Sequence, residues 1–171
     1  LRKALRGYVE PLGGKVGVYF EYLPSGVSIG VNATEEIRLA SLSKVPLAMS
    51  ILKKIEKKEL DLTDRVFLKE ELLDRKFGDL WKRGAGASFT IEELIMYSIQ
   101  ESDNTAYQTL FAMLSDSEVE EVYENLEIEV NTASSSPLVS PKSFSSIFRS
   151  LYLASFLLER ESNYLLDILT K

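Results

Sequence analysis

Apolar positions alternate near the beginning of the chain and recur at helical spacing farther along. The segment Lys15–Tyr22 is rich in β-branched and aromatic residues, and Gly26–Val31 alternates between apolar and polar positions. Between them the sequence L-P-S-G at positions 23–26 is a turn signal. The pattern therefore predicts an antiparallel β-hairpin, preceded by a short helical segment over Arg2–Glu10.

From Ser41 onward the pattern is helical. Apolar residues at 45, 48, 52 and 55 share one helical face before a Lys/Glu-rich end, which predicts a buried helix with a solvated tail over Ala40–Lys58. Pro46 is tolerated only near the first turn of a helix, because it lacks a backbone N–H. We therefore expect this helix to begin close to Ser41.

Capping signals predict the remaining helices. Two capping-box patterns, T-x-x-E and S-x-x-E, predict helices over Thr90–Gln100 and Ser115–Asn125. An N-cap serine followed by proline opens another at Ser140, and a last helical stretch is predicted over Glu161–Leu169. The polar, glycine-containing segment Leu60–Ser88 is predicted to be a long irregular connection.

The chain contains neither histidine nor cysteine. This excludes a Ser-His-Asp triad, a cysteine nucleophile, a disulfide framework and zinc sites of the usual ligand types. We expect neither a metal nor a cofactor, and an enzyme built from this chain would use serine, lysine, tyrosine or carboxylate groups for proton transfer. With 171 residues, of which 45% are hydrophobic, the chain has the length of about one domain and can bury a core.

The charge balance restricts the partners. The formal net charge is −6, the wrong sign for a surface that neutralises phosphates, so we expect no nucleic-acid partner. The longest apolar runs fall short of the roughly 20 residues that a membrane span needs. No basic segment followed by an apolar one opens the chain at Leu1, so a signal peptide is not expected within it.

The first candidate chemical motif is S-x-x-K, formed by Ser41 and Lys44 at the start of the predicted buried helix. Residues three apart share a helical face, so a deprotonated lysine would be placed to activate the serine directly. The pattern alone is weak, because chance predicts about 1.4 matches in this composition. A second match, formed by Ser50 and Lys53, lies in mid-helix and is interpreted as ordinary helix surface.

The second motif, Ser102-Asp103-Asn104, carries more information, since chance predicts only about 0.02 occurrences. Its alternative interpretation is a polar helix cap or turn, because all three residue types bond their own backbone. The upstream S-x-x-K motif favours the chemical interpretation.

S-x-x-K followed by S-D-N resembles the signature of class A β-lactamases and penicillin-binding proteins. The opening helix, the hairpin before the serine and the T-I-E-E-L helix leading into E-S-D-N-T-A also follow that family's order, so the resemblance covers most of the chain. It implies an α+β fold, an antiparallel sheet flanked by helices with a separate all-α lobe and the active site between them. This chain would carry the N-terminal hairpin and the helical lobe.

The resemblance also implies roles for individual residues. Ser41 would be the acylated nucleophile, with its backbone N–H as half of an oxyanion hole, and Lys44 would take or shuttle its proton. Ser102 would pass a proton to the departing nitrogen, and Asn104 would hold the amide carbonyl of the substrate. Asp103 would be structural.

Two departures from the family pattern stand out. The third family motif, K-T-G, does not occur; the strings at 15–17 and 76–78 both lack the hydroxyl. We therefore expect residues 1–171 to be a single β-lactamase-like domain that is incomplete at its C-terminal end, with a helix and hairpin over 1–40 and a mainly helical lobe over 41–171. Class A β-lactamases use a glutamate in a loop after S-D-N to direct the water for deacylation. The corresponding stretch here, Asn131–Ser140, contains no carboxylate. Glu127 and Glu129 lie just upstream and are interpreted as surface charges.

Other candidate sites have simpler interpretations. The adjacent glutamate pairs, such as Glu92-Glu93, point to different sides of a helix and are expected to be solvated. Gly84-Ala85-Gly86 lacks the context of a dinucleotide loop, and Trp81 is expected to anchor a loop rather than to stack on a ligand.

The sequence therefore predicts a serine hydrolase that forms an acyl-enzyme at Ser41 with a small-molecule β-lactam or a D-alanyl stem peptide of peptidoglycan. Acylation is better supported than deacylation. The resemblance implies an exported protein, periplasmic or extracellular. One alternative is a non-catalytic sensor or scaffold of the penicillin-binding fold, and another is a helical interaction module in which S-D-N is only a cap.

Overall fold

Seven α-helices and six short strands form the part of the chain that the computed structural model describes, residues 1–131 and 137–171. The helices are α1 (Arg2–Val9), α2 (Lys44–Glu56), α3 (Ile91–Gln100), α4 (Asn104–Phe111), α5 (Asp116–Asn125), α6 (Pro141–Leu153) and α7 (Glu159–Leu169). The strands are β1 (Val18–Tyr22), β2 (Val27–Val31), β3 (Ile37–Arg38), β4 (Arg65–Phe67), β5 (Ser88–Thr90) and β6 (Leu138–Val139). The chain divides into two compact units, residues 1–40 with 123–150 and residues 41–122 with 151–171.

The first unit contains the predicted hairpin. Strands β1 and β2 pair antiparallel over their whole length, from Val18 opposite Val31 to Tyr22 opposite Val27. The turn closes where the Tyr22 carbonyl accepts the N–H groups of Ser25 and Gly26, and Gly26 adopts a positive φ of 69° that a glycine tolerates without strain. The hairpin is confirmed, and its first strand begins three residues later than the pattern predicts. The same unit holds a two-residue ladder between β3 and β6.

The second unit is organised around α2. All nine residues from Lys44 to Leu52 are buried, so this helix is enclosed on every side rather than on one stripe. It packs against α3, α4 and α7. Pro46 occupies the third position of α2, where its missing N–H interrupts no bond within the helix. The prediction of a buried helix with a solvated tail is confirmed.

Helix α3 begins with a complete capping box. The Thr90 hydroxyl accepts the Glu93 backbone N–H at 3.1 Å, and the Glu93 carboxylate accepts the Thr90 N–H at 2.7 Å. These two bonds satisfy donors that the first turn of a helix leaves without partners. The predicted helices starting near 115, 140 and 161 are also present as α5, α6 and α7, the last beginning two residues earlier than expected.

The prediction that Leu60–Ser88 is irregular is wrong near both of its ends. There β4 pairs antiparallel with β5, from Arg65 opposite Thr90 to Phe67 opposite Ser88. Strands of three residues are too short to display an alternating pattern, so their pairing depends on contacts between distant segments. Helix α4, which begins directly after Asp103, was also absent from the prediction.

The architecture is α+β, as predicted, with helices in the majority and small antiparallel ladders. None of the described helices combines the length and the apolar character that crossing a membrane requires.

Candidate active site

Ser41 and Lys44 lie where a 3-10 turn passes into α2. The turn covers Ala40–Ser43, and Lys44 is the first residue of the α-helix. A 3-10 turn has three residues per turn, so side chains at i and i+3 eclipse each other and Ser41 and Lys44 face the same side. The Ser41 side chain is exposed, whereas Lys44 keeps only 5% of its surface exposed. Ala40, directly before the serine, has a φ of 43°, a strained conformation for a residue other than glycine.

Ser102 lies in the short connection between α3 and α4. Its φ of 51° is again left-handed, which turns the chain sharply between the two helices. The fully buried Asp103 follows as the N-cap of α4, and its Oδ1 accepts the Ala106 N–H at 2.9 Å. Asn104 then begins α4. The interpretation of S-D-N as a helix cap is therefore correct for Asp103.

Asp103 also fixes the segment that runs past it. Its Oδ2 accepts the backbone N–H of Leu80 at 2.8 Å, and the N–H of Asn104 donates to the carbonyl of Phe77 at 3.0 Å. Gly78 passes so close that a Cβ atom there would lie 1.9 Å from Asp103 Oδ2. The glycine of the K-F-G string thus has a structural function, which is to let two backbone segments meet.

The Lys44 ammonium connects the two motifs. It donates to the Ser102 hydroxyl at 2.9 Å, to the side-chain oxygen of Asn104 at 3.0 Å and to the carbonyl oxygen of Ser102. The Ser102 hydroxyl in turn donates to the Ser41 hydroxyl at 3.1 Å. All four predicted site residues are thereby brought together within the second unit. The hydrogen-bond path from Lys44 to Ser41 runs through Ser102, whereas the sequence predicted a direct contact.

Burial lowers the pKa of the Lys44 ammonium from its ordinary value, because an ammonium loses hydration when it is enclosed. The negative charges of Asp103 and Asp74 oppose this change and favour the protonated form. A buried lysine with a lowered pKa is poised to give up its proton more readily than one in water.

Sequence reasoning missed Tyr107 on α4, whose ring centre lies 5.9 Å from Lys44 Nζ. The available signal was its spacing, since a residue three positions after Asn104 shares the same helical face.

The second S-x-x-K match has a structural explanation. The Ser50 hydroxyl shares its one hydrogen between the carbonyl oxygens of Pro46 and Glu118, at 3.1 and 3.0 Å, and Ser50 is 3% exposed. Lys53 donates to Glu56 and to the Phe156 carbonyl. The prediction that Ser50 lies on the helix surface is therefore wrong, because its hydroxyl ties α2 to α5 in the interior.

The remaining candidates occupy structural positions. Trp81 is half-buried with the cations of Arg75 and Lys82 over its ring, at 5.3 and 5.9 Å. Glu127 and Glu129 are exposed in the first unit. Of the stretch 131–140, in which the sequence lacks a carboxylate, residues 132–136 lie outside the described part of the chain. The described residues include no cluster of three or more His, Cys, Asp or Glu that could hold a metal ion.

Comparison with known proteins gives a consistent result. A family model described as "Beta-lactamase enzyme family" matches residues 1–171. Among curated proteins, the chain is 29% identical over 87 residues to the extended-spectrum beta-lactamase PER-1 of Pseudomonas aeruginosa and 28% identical over 105 residues to the beta-lactamase SME-1 of Serratia marcescens. These matches cover 49% and 61% of this chain but only 28% and 35% of the two relatives.

Solved structures share the fold. A beta-lactamase from Sphaerobacter thermophilus superposes with a TM-score of 0.88 at 22% identity, over 97% of this chain and 67% of that one. The protein PBP-A superposes with a TM-score of 0.87 at 22% identity, over 98% of this chain and 66% of its own. A variant of PBP-A has been solved as an acyl-enzyme complex with penicillin G.

Proposed function

The chain belongs to the beta-lactamase enzyme family, and we propose that it acts as a serine hydrolase that forms an acyl-enzyme at Ser41. The substrate would be a small-molecule β-lactam or a D-alanyl peptide of peptidoglycan. Both present an amide carbonyl to a serine nucleophile, and ring strain makes that of the β-lactam the more reactive. The observation that carries the proposal is the continuous hydrogen-bond path from Lys44 through Ser102 to Ser41.

The path supplies a route for the proton in both halves of the acylation step. Once Lys44 is neutral, both hydroxyls reverse their direction, so that Ser41 donates to Ser102 and Ser102 donates to the Lys44 amine. As Ser41 Oγ bonds to the carbonyl carbon, its proton then passes to Ser102 while the Ser102 proton passes to Lys44. When the carbon–nitrogen bond then breaks, the proton returns through Ser102 to the departing nitrogen. No proton is gained or lost over the step, and burial, which lowers the pKa of Lys44, favours the neutral amine that the step requires.

Asn104 is oriented for substrate binding by the same lysine. Because its side-chain oxygen accepts a hydrogen bond from Lys44, its amide N–H groups are left to donate to an acceptor on the ligand. The amide carbonyl next to a β-lactam ring, or the peptide carbonyl of a stem peptide, is such an acceptor. Ser41 lies in the 3-10 turn that leads into α2, so the backbone N–H groups at the N-terminal end of the helix would favour the developing oxyanion.

Intact-mass spectrometry with a labelled penicillin tests the proposal. We expect one covalent adduct on the wild-type protein, mapped to Ser41 by peptide analysis, and no adduct on Ser41→Ala. Ser50→Ala is the matched control, because it removes the serine of the second S-x-x-K match. This variant should still form the adduct, and circular dichroism verifies that it is folded. A folded wild-type protein that gains no mass, or gains it elsewhere, would contradict the proposal.

The second candidate function is a penicillin-binding sensor or scaffold that does not turn over. It is favoured by the sequence of Asn131–Ser140, which contains no carboxylate to direct a hydrolytic water. The time course of the same experiment separates the two, because an adduct that decays indicates hydrolysis and one that persists indicates a sensor. We further propose that the protein is exported, since peptidoglycan and β-lactams are met outside the cytoplasm.

A further inference from the structure

The Lys44 ammonium is a buried charge, and no carboxylate among the described residues pairs with it directly. Its three hydrogens go to Ser102 and Asn104 oxygens, all of which are uncharged. Lys44 takes part in none of the ion pairs formed within residues 1–131 and 137–171. Asp103 and Asp74 attract it from beyond contact distance. Enclosing a cation without a paired anion is costly, so another source of negative potential is expected next to it.

The ring of Tyr107 provides that potential. Its centre lies 5.9 Å from Lys44 Nζ, within the distance at which the negative face of an aromatic ring attracts a cation. The ring is held in place by Phe111 one turn farther along α4, with centroids 6.0 Å apart and planes 19° from parallel. Tyr107 is half-buried, so water does not fully screen the interaction.

We infer that Tyr107 is a positioning residue for Lys44. The face of the Tyr107 ring holds the Lys44 ammonium against Ser102 and Asn104, in the place that a paired carboxylate would otherwise take. The inference deepens the proposed function and rests on it only for its catalytic consequence. The ring favours the charged form of Lys44 and so opposes the effect of burial, together with Asp103 at the N-cap of α4 and Asp74 in the segment before α3. Tyr107 thereby affects how readily the amine becomes neutral at a given pH.

An NMR titration of lysine carbon resonances in selectively labelled protein measures this directly, with the Lys44 signal assigned through Lys44→Arg. Tyr107→Leu fills the space with an apolar group and removes the ring face. We expect it to lower the pKa of Lys44 by roughly 0.5, the effect of one cation–π interaction of ordinary strength. Tyr107→Phe keeps the ring face and should leave the pKa as in the wild type. Tyr152→Leu, at an exposed position on α6, is the matched control and should also leave it unchanged.

Two outcomes overturn the inference. An unchanged pKa in Tyr107→Leu means that the ring acts only as an apolar cover, and an equal decrease in Tyr107→Phe assigns the effect to the hydroxyl. If the leucine variant does not fold, replacement of Tyr107 by 4-cyanophenylalanine keeps the ring shape and weakens its negative face. The pKa should then fall below that of Tyr107→Phe, and an unchanged value again overturns the inference.

The titration needs no substrate, so its outcome is independent of the penicillin experiment. A lowered pKa without a penicillin adduct would leave the interaction standing and refute the proposed function. Where the adduct does form, the pH profile of acylation in Tyr107→Leu should shift toward lower pH together with the Lys44 titration. A merely structural role for Tyr107 would lower the rate at all pH values without that shift.

Discussion

Replacing Gly78 with alanine should destabilise the protein through a single close contact. The new Cβ atom would meet Asp103 Oδ2 at 1.9 Å, its Cγ at 2.3 Å and its Cα at 2.6 Å. Real Cβ atoms essentially never approach so closely, so Asp103 or the Gly78 backbone must move. Because Asp103 is fully buried and bonds the N–H groups of Leu80 and Ala106, the movement would break at least one of these bonds.

The magnitude follows from two contributions. Gly78 has a φ of 84°, and placing a side chain in the left-handed region costs about 1–2 kcal/mol. Loss of one hydrogen bond to the charged Asp103 carboxylate adds about 1.5–3 kcal/mol. We expect Gly78→Ala to lower the free energy of unfolding by about 2.5–5 kcal/mol.

Gly86→Ala separates the cost of the contact from the cost of the backbone strain. Gly86 has the same φ of 84°, but a Cβ atom there would meet no described atom within 4 Å. Urea unfolding of both variants, followed by circular dichroism, should give a cost of about 1–2 kcal/mol for Gly86→Ala and about 1.5–3 kcal/mol more for Gly78→Ala. Equal costs for the two variants would contradict a constraint on position 78 by the close approach of Asp103.

Two further predictions concern a surface ion pair and the proton path. The Lys54 ammonium holds the pKa of Glu118 at about 2, below its ordinary 4.5, so this pair stabilises the fold above pH 4.5 and loses its effect as the pH falls toward 2. Glu118→Gln should therefore lower the free energy of unfolding at pH 7 by about 1 kcal/mol, and this difference from the wild type should shrink in acid. Glu120→Gln on the same helix should leave the free energy of unfolding unchanged at both pH values. A difference for Glu118→Gln that does not depend on pH would contradict the ion pair with Lys54 as its cause. Ser102→Ala should slow acylation by about 10²–10³-fold in time-resolved mass spectrometry while changing stability by only about 1 kcal/mol, and an unchanged rate would remove Ser102 from the path.

Local patterns predicted the elements that carry the candidate site. The alternation around the L-P-S-G turn corresponds to the β1–β2 hairpin, and the T-x-x-E pattern corresponds to the capping box of α3. Both depend on residues within a few positions of each other, so the sequence displays them directly. The short β4–β5 ladder was missed, because three residues form no period and their partners lie more than 20 positions away.

Residue spacing was enough to predict a serine and a lysine one turn apart at the start of a buried helix, with S-D-N farther along and no histidine to serve as base. The folded chain adds that Ser102 stands between Lys44 and Ser41 and that Tyr107 faces the ammonium. Spacing along a helix fixes which residues share a face, but the packing of α2 against α4 fixes which groups from distant segments meet within hydrogen-bonding distance.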